Sequence, residues 1–239
     1  MQLLDLTLDT AAANLALDEA LLESAEIDVE HDEVLRIWES PKPIVVLGRS
    51  SPFQREVNLS YCDENSIEIL RRSSGGQTVV AGPGCLMYCV LISYRKRPQL
   101  RMIDRAHQFV MSRIQECLLN IGIEVQISGI CDLTIDNRKV SGNSLRCKKN
   151  FFIYHGTFLY DFAVELIQNC LNQPIRKPDY RGERSHHDFV TTIPLTAATL
   201  RSVLCEAFKA KMNFASWPEG LTQKLAQEKY SDDGWNRRH

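Results

Sequence analysis

No CxxC pair occurs in the chain, and no cysteine–histidine spacing of the kind that holds zinc, although eight cysteines are present. Cys62, Cys85, Cys89, Cys117, Cys131, Cys147, Cys170 and Cys205 are scattered through apolar runs, which reads as reduced, mostly buried thiols and no metal site. Uncharged apolar runs long enough to span a membrane, about 18 residues, are missing. The opening MQLLDLTLDTAAANLALDEALL carries acids within its apolar stretch and has no basic leader, so a signal peptide is not expected. Nor is there an excess of one charge: the formal net charge is −2 with acids and bases interleaved. Neither nucleic acid nor a membrane is therefore an expected partner, and the cytoplasm is the expected compartment. GxxxxGK[ST] and GxGxxG are also absent, which excludes a Walker loop and a dinucleotide fingerprint.

What remains is 239 residues, 44% of them hydrophobic, enough for the core of one large domain or two small ones. Ala13, Ala16, Leu17, Ala20 and Leu21 form a stripe at helical spacing behind an N-cap at Asp9 or Thr10, with Asp18 and Glu19 expected away from that stripe. Strand-like runs cover 34–38, 44–47 and 67–70, the first with the alternation of a half-buried strand, and a long apolar run covers 85–94. The spacing predicts a second helix over 102–120, ended by Gly122, then strands at 124–127, 133–135 and 151–160. Further helices fit 163–171 and the segment after Thr196, which carries Leu200, Val203, Leu204 and Phe208. Clustered strands with occasional helices argue for an α+β fold with a mixed sheet. The charged tail, 216–239, reads as a short peripheral helix or a frayed end.

Three segments carry chemistry. In RRSSGGQTVVAGPG, residues 71–84, Gly75 and Gly76 permit positive φ and a close backbone approach, while Arg71 and Arg72 offer forked donors to a carboxylate or phosphate; the plain alternative is a hairpin turn. In DLTIDNRKVSGNS, residues 132–144, a turn at Asp136-Asn137 places Lys139 on a strand beside a Ser141-Gly142 turn, as a point charge for an anion or merely a solvated lysine. In YHGTFLYDF, residues 154–162, His155 and Gly156 interrupt an apolar strand, the histidine either as a hydrogen-bonded core residue or as part of a site, the glycine as a bulge or a close backbone approach.

Together with NLALDEALL and LRIWESPKPIVVLGRSSPFQREVN, and in this order, these segments resemble the lipoate–protein ligase family of the biotin/lipoate ligase and octanoyltransferase superfamily, over residues 14 to about 194. The resemblance implies a central mixed sheet flanked by helices, as in class II aminoacyl-tRNA synthetase and biotin ligase catalytic domains, over residues 1–215. It implies ATP, Mg²⁺ and lipoate or octanoate as the molecules bound, and a lipoyl-carrier domain or protein as the acceptor. Carried over by position, Arg72, Gly75, Gly76 and Gln77 match the loop that wraps the acyl carboxylate and adenylate phosphate. Lys139 matches the lysine at the reacting carbonyl and phosphate and is the expected catalytic residue. Ser141 and Gly142 continue the nucleotide side, and His155 and Gly156 line the acyl pocket.

The chain departs from that pattern where the family has a third glycine and then a histidine: Gln77 and Ala81 stand there. Nor is a large C-terminal accessory domain, of the roughly hundred-residue size common among domains, expected; the expectation is either a separate small accessory subunit or a compact version of the activity. The alternatives are an ATP-independent octanoyl or lipoyl transferase working through a cysteine thioester, and a non-catalytic lipoyl-binding relative. One transferase branch has its cysteine where this chain has Phe152; Cys131 is the thiol nearest the expected pocket. The glycine-rich signature of biotin ligases is absent.

Overall fold

The computed structural model describes residues 1–28, 30–174, 177–212 and 216–238. Its strands are β1 (Gln2–Asp5), β2 (Val34–Glu39), β3 (Ile44–Leu47), β4 (Glu68–Arg71), β5 (Val79–Ala81), β6 (Cys85–Ser93), β7 (Gln126–Ser128), β8 (Asp132–Ile135), β9 (Arg138–Cys147), β10 (Phe151–Leu159) and β11 (Lys211–Met212). Among the described residues they form an eight-stranded mixed sheet, order β11-β1-β2-β6-β10-β9-β8-β7, and a three-stranded sheet, β4-β3-β5. Pairing is parallel at β11-β1-β2 and antiparallel from β2 through β7. Asp136 and Asn137, at φ 48° and 59°, make the tight β8-β9 turn, a backbone that asparagine and aspartate tolerate better than other side chains.

Helix α1 (Ala11–Ile27) starts where expected, with the Thr10 hydroxyl accepting the Ala13 N–H at 3.1 Å. Short helices α2 (Phe53–Glu56) and α3 (Leu59–Glu64) lead into β4, and α4 (Ile103–Asn120) ends two residues before Gly122, which sits at φ 80°. Helices α5 (Glu165–Cys170), α6 (His186–Phe189) and α7 (Ala197–Phe208) follow, the last capped by Thr196. On one face of the large sheet, α4 and α7 cover Leu35, Ile37, Val90, Ile92 and Phe152; on the other, α1 covers Val34, Leu91, Phe151 and Ile153.

This double cover corrects two expectations. The alternation in β2 is present, but both of its faces are buried, so it is not a half-buried strand. Likewise α1 is buried on most of its surface, and Asp18 and Glu19 lie inside rather than away from the apolar stripe. Both acids are tolerated because each is paired: Asp18 with Arg36 of β2 at 2.5 Å, and Glu19 with Arg146 at 2.6 Å and Lys229 at 2.7 Å. Burial alone would raise both carboxyls, but these neighbouring cations hold each below the ordinary carboxylate range.

Nor is the C-terminal segment frayed. It forms α8 (Glu219–Leu225), a π-helical turn (Ala226–Tyr230) and α9 (Asp233–Asn236), with Tyr230 fully buried and its hydroxyl on Glu19 at 2.9 Å. Arg71, readable in the sequence as a donor to an anion or as a solvated arginine, instead clamps this segment. Its buried guanidinium donates to the carbonyls of Gly48 and Ser51 on one side and of Trp235 and Arg238 on the other.

Between β4 and β5 the chain runs through residues 72–78. This is not a hairpin turn, since β3 lies between the two strands. Every carbonyl from Ser74 to Gln77 has a donor: Arg49 N–H on Ser74, Arg72 Nη2 on Gly75 and Gln77, Ser144 Oγ on Gly75, and Ser51 Oγ on Gly76. In a trans peptide the next N–H points opposite to the carbonyl, so these bonds fix the direction of each of the N–H groups of Gly75, Gly76 and Gln77 in turn. Gly76 sits at φ 86°, and a Cβ there would meet Arg72 Nη2 at 2.8 Å, whereas a Cβ on Gly75 would meet nothing within 4 Å. A Cβ on Gly48 would fall 1.9 Å from the Gly76 carbonyl oxygen, so Gly48 is required for the loop to lie against β3.

Two outcomes are expected in thermal denaturation. Gly76→Ala should lower stability by about 1–2 kcal/mol through its left-handed backbone, while Gly75→Ala should stay within about 0.5 kcal/mol of the parent; equal effects would contradict this loop geometry. Arg71→Met should cost on the order of 3 kcal/mol by orphaning buried carbonyls, lowering Tm by roughly 6–12 °C. An unchanged Tm would show that the clamp contributes nothing.

Candidate active site

A cavity of about 740 Å³ lies against the large sheet, walled on its other side by α1, the 72–78 loop and residues 177–180. Its floor runs from Trp38 on β2, through Met87 and Thr157, to Gly142 and Asp132 on β9 and β8. Five adjacent strands at about 4.8 Å spacing make this roughly 19 Å across. A smaller chamber of about 90 Å³ adjoins it, lined by Glu56, Val80, Ser141, Arg181, His186 and Phe189 among others. The two share Gln77, Thr78, Val79, Lys139, Gly142 and Thr157, so Lys139 stands at their junction.

Arg72, Gly76, Gln77, Lys139, Gly142, His155 and Gly156 all line the larger cavity, and Ser141 lines the smaller; Gly75 is in neither lining. Lys139 donates to Asp132 Oδ1 at 2.8 Å, and its side chain lies across Gly142, where a Cβ would come within 2.6 Å of Cε and Nζ. Ser141 and Gly142 therefore belong to the strand β9 and not to a turn; the glycine leaves the space the lysine occupies. Gly156 acts similarly, because a Cβ there would lie 1.8 Å from Asn143 Oδ1. That oxygen accepts from Tyr88 at 2.5 Å, while Asn143 Nδ2 donates to the Cys131 carbonyl at 2.8 Å. Gly156 sits in unbroken strand pairing and is a close approach, not a bulge.

Arg72 is buried, and its fork is taken up by Ser74 Oγ and by the carbonyls of Val46, Gly75 and Gln77. Burial pushes its pKa down to about 10, which leaves it charged at neutral pH. It shapes the loop from within and adds positive potential to the cavity wall. His155 belongs to a row of register partners across the sheet, Arg36, Cys89, His155 and Ser144, all facing α1 and the loop. From that row Arg36 reaches Asp18, His155 reaches Ser74 Oγ at 2.5 Å, and Ser144 reaches the Gly75 carbonyl at 2.9 Å.

Several residues of the site were missed in the sequence: Asp18, Glu56, Asn143 and Tyr180 line the cavities, and Ser74 bonds His155 beside the larger one. Glu56 accepts the Thr78 N–H and hydroxyl, anchoring the far end of the loop, and Tyr180 donates to Asp132 at 2.7 Å. The signal available was Arg36 in an otherwise apolar strand, since a buried cation requires a buried acid. Asp18, Cys89 and His155 also bring metal-ligand atoms within 4.8 Å of one another, but the Asp18 charge is already met by Arg36. Cys131 lines the cavity, its thiol pointing at the Asn143 carbonyl; burial, and then Asp132, push its pKa up, so it is protonated at neutral pH. Phe152 is fully buried and stacked on Tyr94. No helix among the described residues is long and apolar enough to cross a membrane.

Comparison with known proteins follows this geometry. Lipoate-protein ligase LplJ of Bacillus subtilis is 27% identical over 237 residues, covering 93% of this chain and 69% of its own length. Octanoyltransferase LipM of Halalkalibacterium halodurans is 22% identical over 268 residues, 95% of each chain. The fold is similar to that of the bi-partite lipoate protein ligase of Thermoplasma acidophilum, at TM-score 0.85 and 22% identity over 99% of this chain and 95% of that one. It is equally similar to lipoate-protein ligase A bound with ATP, at TM-score 0.84 and 20% identity over 99% and 98%. A family model, the lipoyl protein ligase A/B catalytic domain, matches residues 10–213, and the chain belongs to that family of enzymes acting on lipoyl and octanoyl groups.

Proposed function

We propose that the chain is an ATP-dependent ligase that converts lipoate or octanoate to an acyl-adenylate and transfers it to a lysine of a lipoyl-carrier domain. The observation that carries this reading is the meeting of two chambers at Lys139. A thioester route needs one acyl pocket and a reactive thiol; an adenylate route needs a second pocket joined to the first at the reacting carboxyl. In this reading the acyl chain lies along the floor toward Trp38, its carboxylate at Lys139 and the 75–77 backbone, and the nucleotide shares the larger cavity with its phosphates turned toward the smaller chamber, which is too small for a whole nucleotide. The carboxylate attacks the α-phosphorus of ATP and pyrophosphate leaves; the acceptor amine then attacks the carbonyl and AMP leaves. Lys139 meets negative charge that develops in both steps, and the loop N–H groups add fixed partial positive charge. The buried walls keep water from the anhydride.

Glu56 is the one carboxylate among the residues lining the smaller chamber, and Thr78 already engages it. Mg²⁺ in this reading is held chiefly by nucleotide phosphates, with Glu56 the available protein oxygen. Segment 177–189 closes both chambers, through Pro178 and Tyr180 on one and Arg181, His186 and Phe189 on the other, and serves as lid or acceptor-docking element. Residues 1–215 form the catalytic unit and the following helices brace it.

The second reading, transfer through Cys131 without ATP, draws on the LipM relatives and on the position of this thiol in the cavity wall. Its protonated state and its hydrogen bond to Asn143 disfavour it. Lipoylation of a carrier domain should require ATP and Mg²⁺, survive Cys131→Ser, and fall on the order of 10²–10³-fold in Lys139→Ala. A stoichiometric acyl adduct in intact-protein mass spectra, formed from an octanoylated carrier without ATP and lost in Cys131→Ser, would replace the ligase by the transferase.

A further inference from the structure

Ser74 Oγ lies between two nitrogens. It accepts from Arg72 Nε at 3.0 Å, which can only donate, and it lies 2.5 Å from His155 Nε2. Ser74 keeps a second lone pair and its hydroxyl proton; among the described residues Nε2 is the partner found for that proton, so the arrangement that uses it has Ser74 donating to an unprotonated Nε2. His155 is then neutral with its proton on Nδ1, which faces Asp18 Oδ2 at 3.5 Å. Asp18 Oδ1 is held by Arg36 Nη1 at 2.5 Å, and Arg36 is fixed in turn by the carbonyl and side-chain oxygens of Asn14. The result is a directed chain from the buried cation Arg36 through Asp18 and His155 to the hydroxyl of the ligand loop. Asp18 and His155 both face the cavity, and Ser74 immediately precedes Gly75.

From this geometry we infer that Asp18 is a positioning residue, which selects the Nδ1–H tautomer of His155 and thereby latches Ser74 so that the 75–77 backbone faces the reacting carboxyl. The inference rests on the ligase reading for its effect on rate, and on hydrogen-bond balance alone for the tautomer. Among the described residues, neither of the other side chains beside His155 sets the tautomer from the other side. Cys89, the register neighbour of His155, is a buried thiol whose pKa burial pushes far up, and Ser144 is spent on the Gly75 carbonyl. Because Arg36 demands an oxygen, Asn at position 18 must turn its carbonyl to Arg36 and its NH₂ to His155. An NH₂ facing Nδ1 forces the proton to Nε2, so that Ser74 accepts on its second lone pair and its own hydroxyl proton loses its acceptor. Asp18→Asn thus reverses the chain without changing the shape of the side chain.

The test combines spectroscopy with kinetics. In ¹⁵N-histidine-labelled protein, with the His155 signals identified by their loss in His155→Gln, the parent should show the Nδ1–H tautomer and Asp18→Asn the Nε2–H tautomer. Asp18→Asn should lower kcat for lipoyl transfer at least tenfold while KM for lipoate moves less than threefold. Ser74→Ala, remote from the buried ion pair, keeps the Nδ1–H tautomer and should lower kcat to a similar degree; it carries the test if Asp18→Asn does not fold. Retention of the Nδ1–H tautomer in Asp18→Asn overturns the inference, and so does a parental kcat in either variant. Should the parent show no ATP-dependent transfer at all, the ligase reading fails, while the tautomer measurement still decides the hydrogen-bond chain.

Discussion

One buried guanidinium, that of Arg72, orients most of what faces the ligand. Its donors hold the carbonyls of Gly75 and Gln77 and the hydroxyl of Ser74, so the peptide planes between them are turned by a single side chain. A loop rich in glycine and serine has many backbone states available and would lose considerable conformational entropy on ordering. Here the ordering is built into the fold: β3 supplies the Val46 carbonyl that anchors the guanidinium, and Gly48 leaves room for the Gly76 carbonyl. The loop is preorganised by the cations behind it.

The same logic extends outward in two layers. Arg71, the neighbour of Arg72, points the other way and ties the loop's base to the C-terminal helices through carbonyls on both sides. Glu19 joins those helices, through Lys229 and Tyr230, to α1 and to Arg146 of β9. Asp18, one residue before it, turns toward Arg36 and His155 at the cavity. Two consecutive acids on one helix therefore serve the brace and the site respectively. Isolated buried charges would be costly, and each of these is matched in charge and hydrogen bonding.

Much of this was legible in the sequence, because hydrophobic period and capping are local. Thr10 and Thr196 cap helices as read, Gly122 follows the end of α4, and the strands 44–47 and 85–93 stand where their apolar runs lie. Lys139, Gly76, Gln77, His155 and Gly156, far apart in the chain, meet in one cavity. What could not be read depended on partners distant in sequence. Asp18 and Glu19 look like a solvated face until Arg36 and Lys229 are brought to them. Two adjacent arginines look alike as ligand donors, and only the packing of the C-terminal helices separates Arg71 from Arg72. The Ser141-Gly142 pair reads as a turn, yet β9 continues through it because the glycine makes way for a lysine side chain.

The central claim is that the two chambers meeting at Lys139 form one continuous site for an acyl group joined to a nucleotide. A stable lipoyl-adenylate analogue, with a sulfamoyl linkage in place of the mixed anhydride, would span both. Calorimetric titration should show it binding at least a hundredfold more tightly than lipoate or ATP alone, with much of that gain lost in Lys139→Ala. Binding of the analogue no tighter than lipoate by itself would contradict the claim and leave a single acyl pocket.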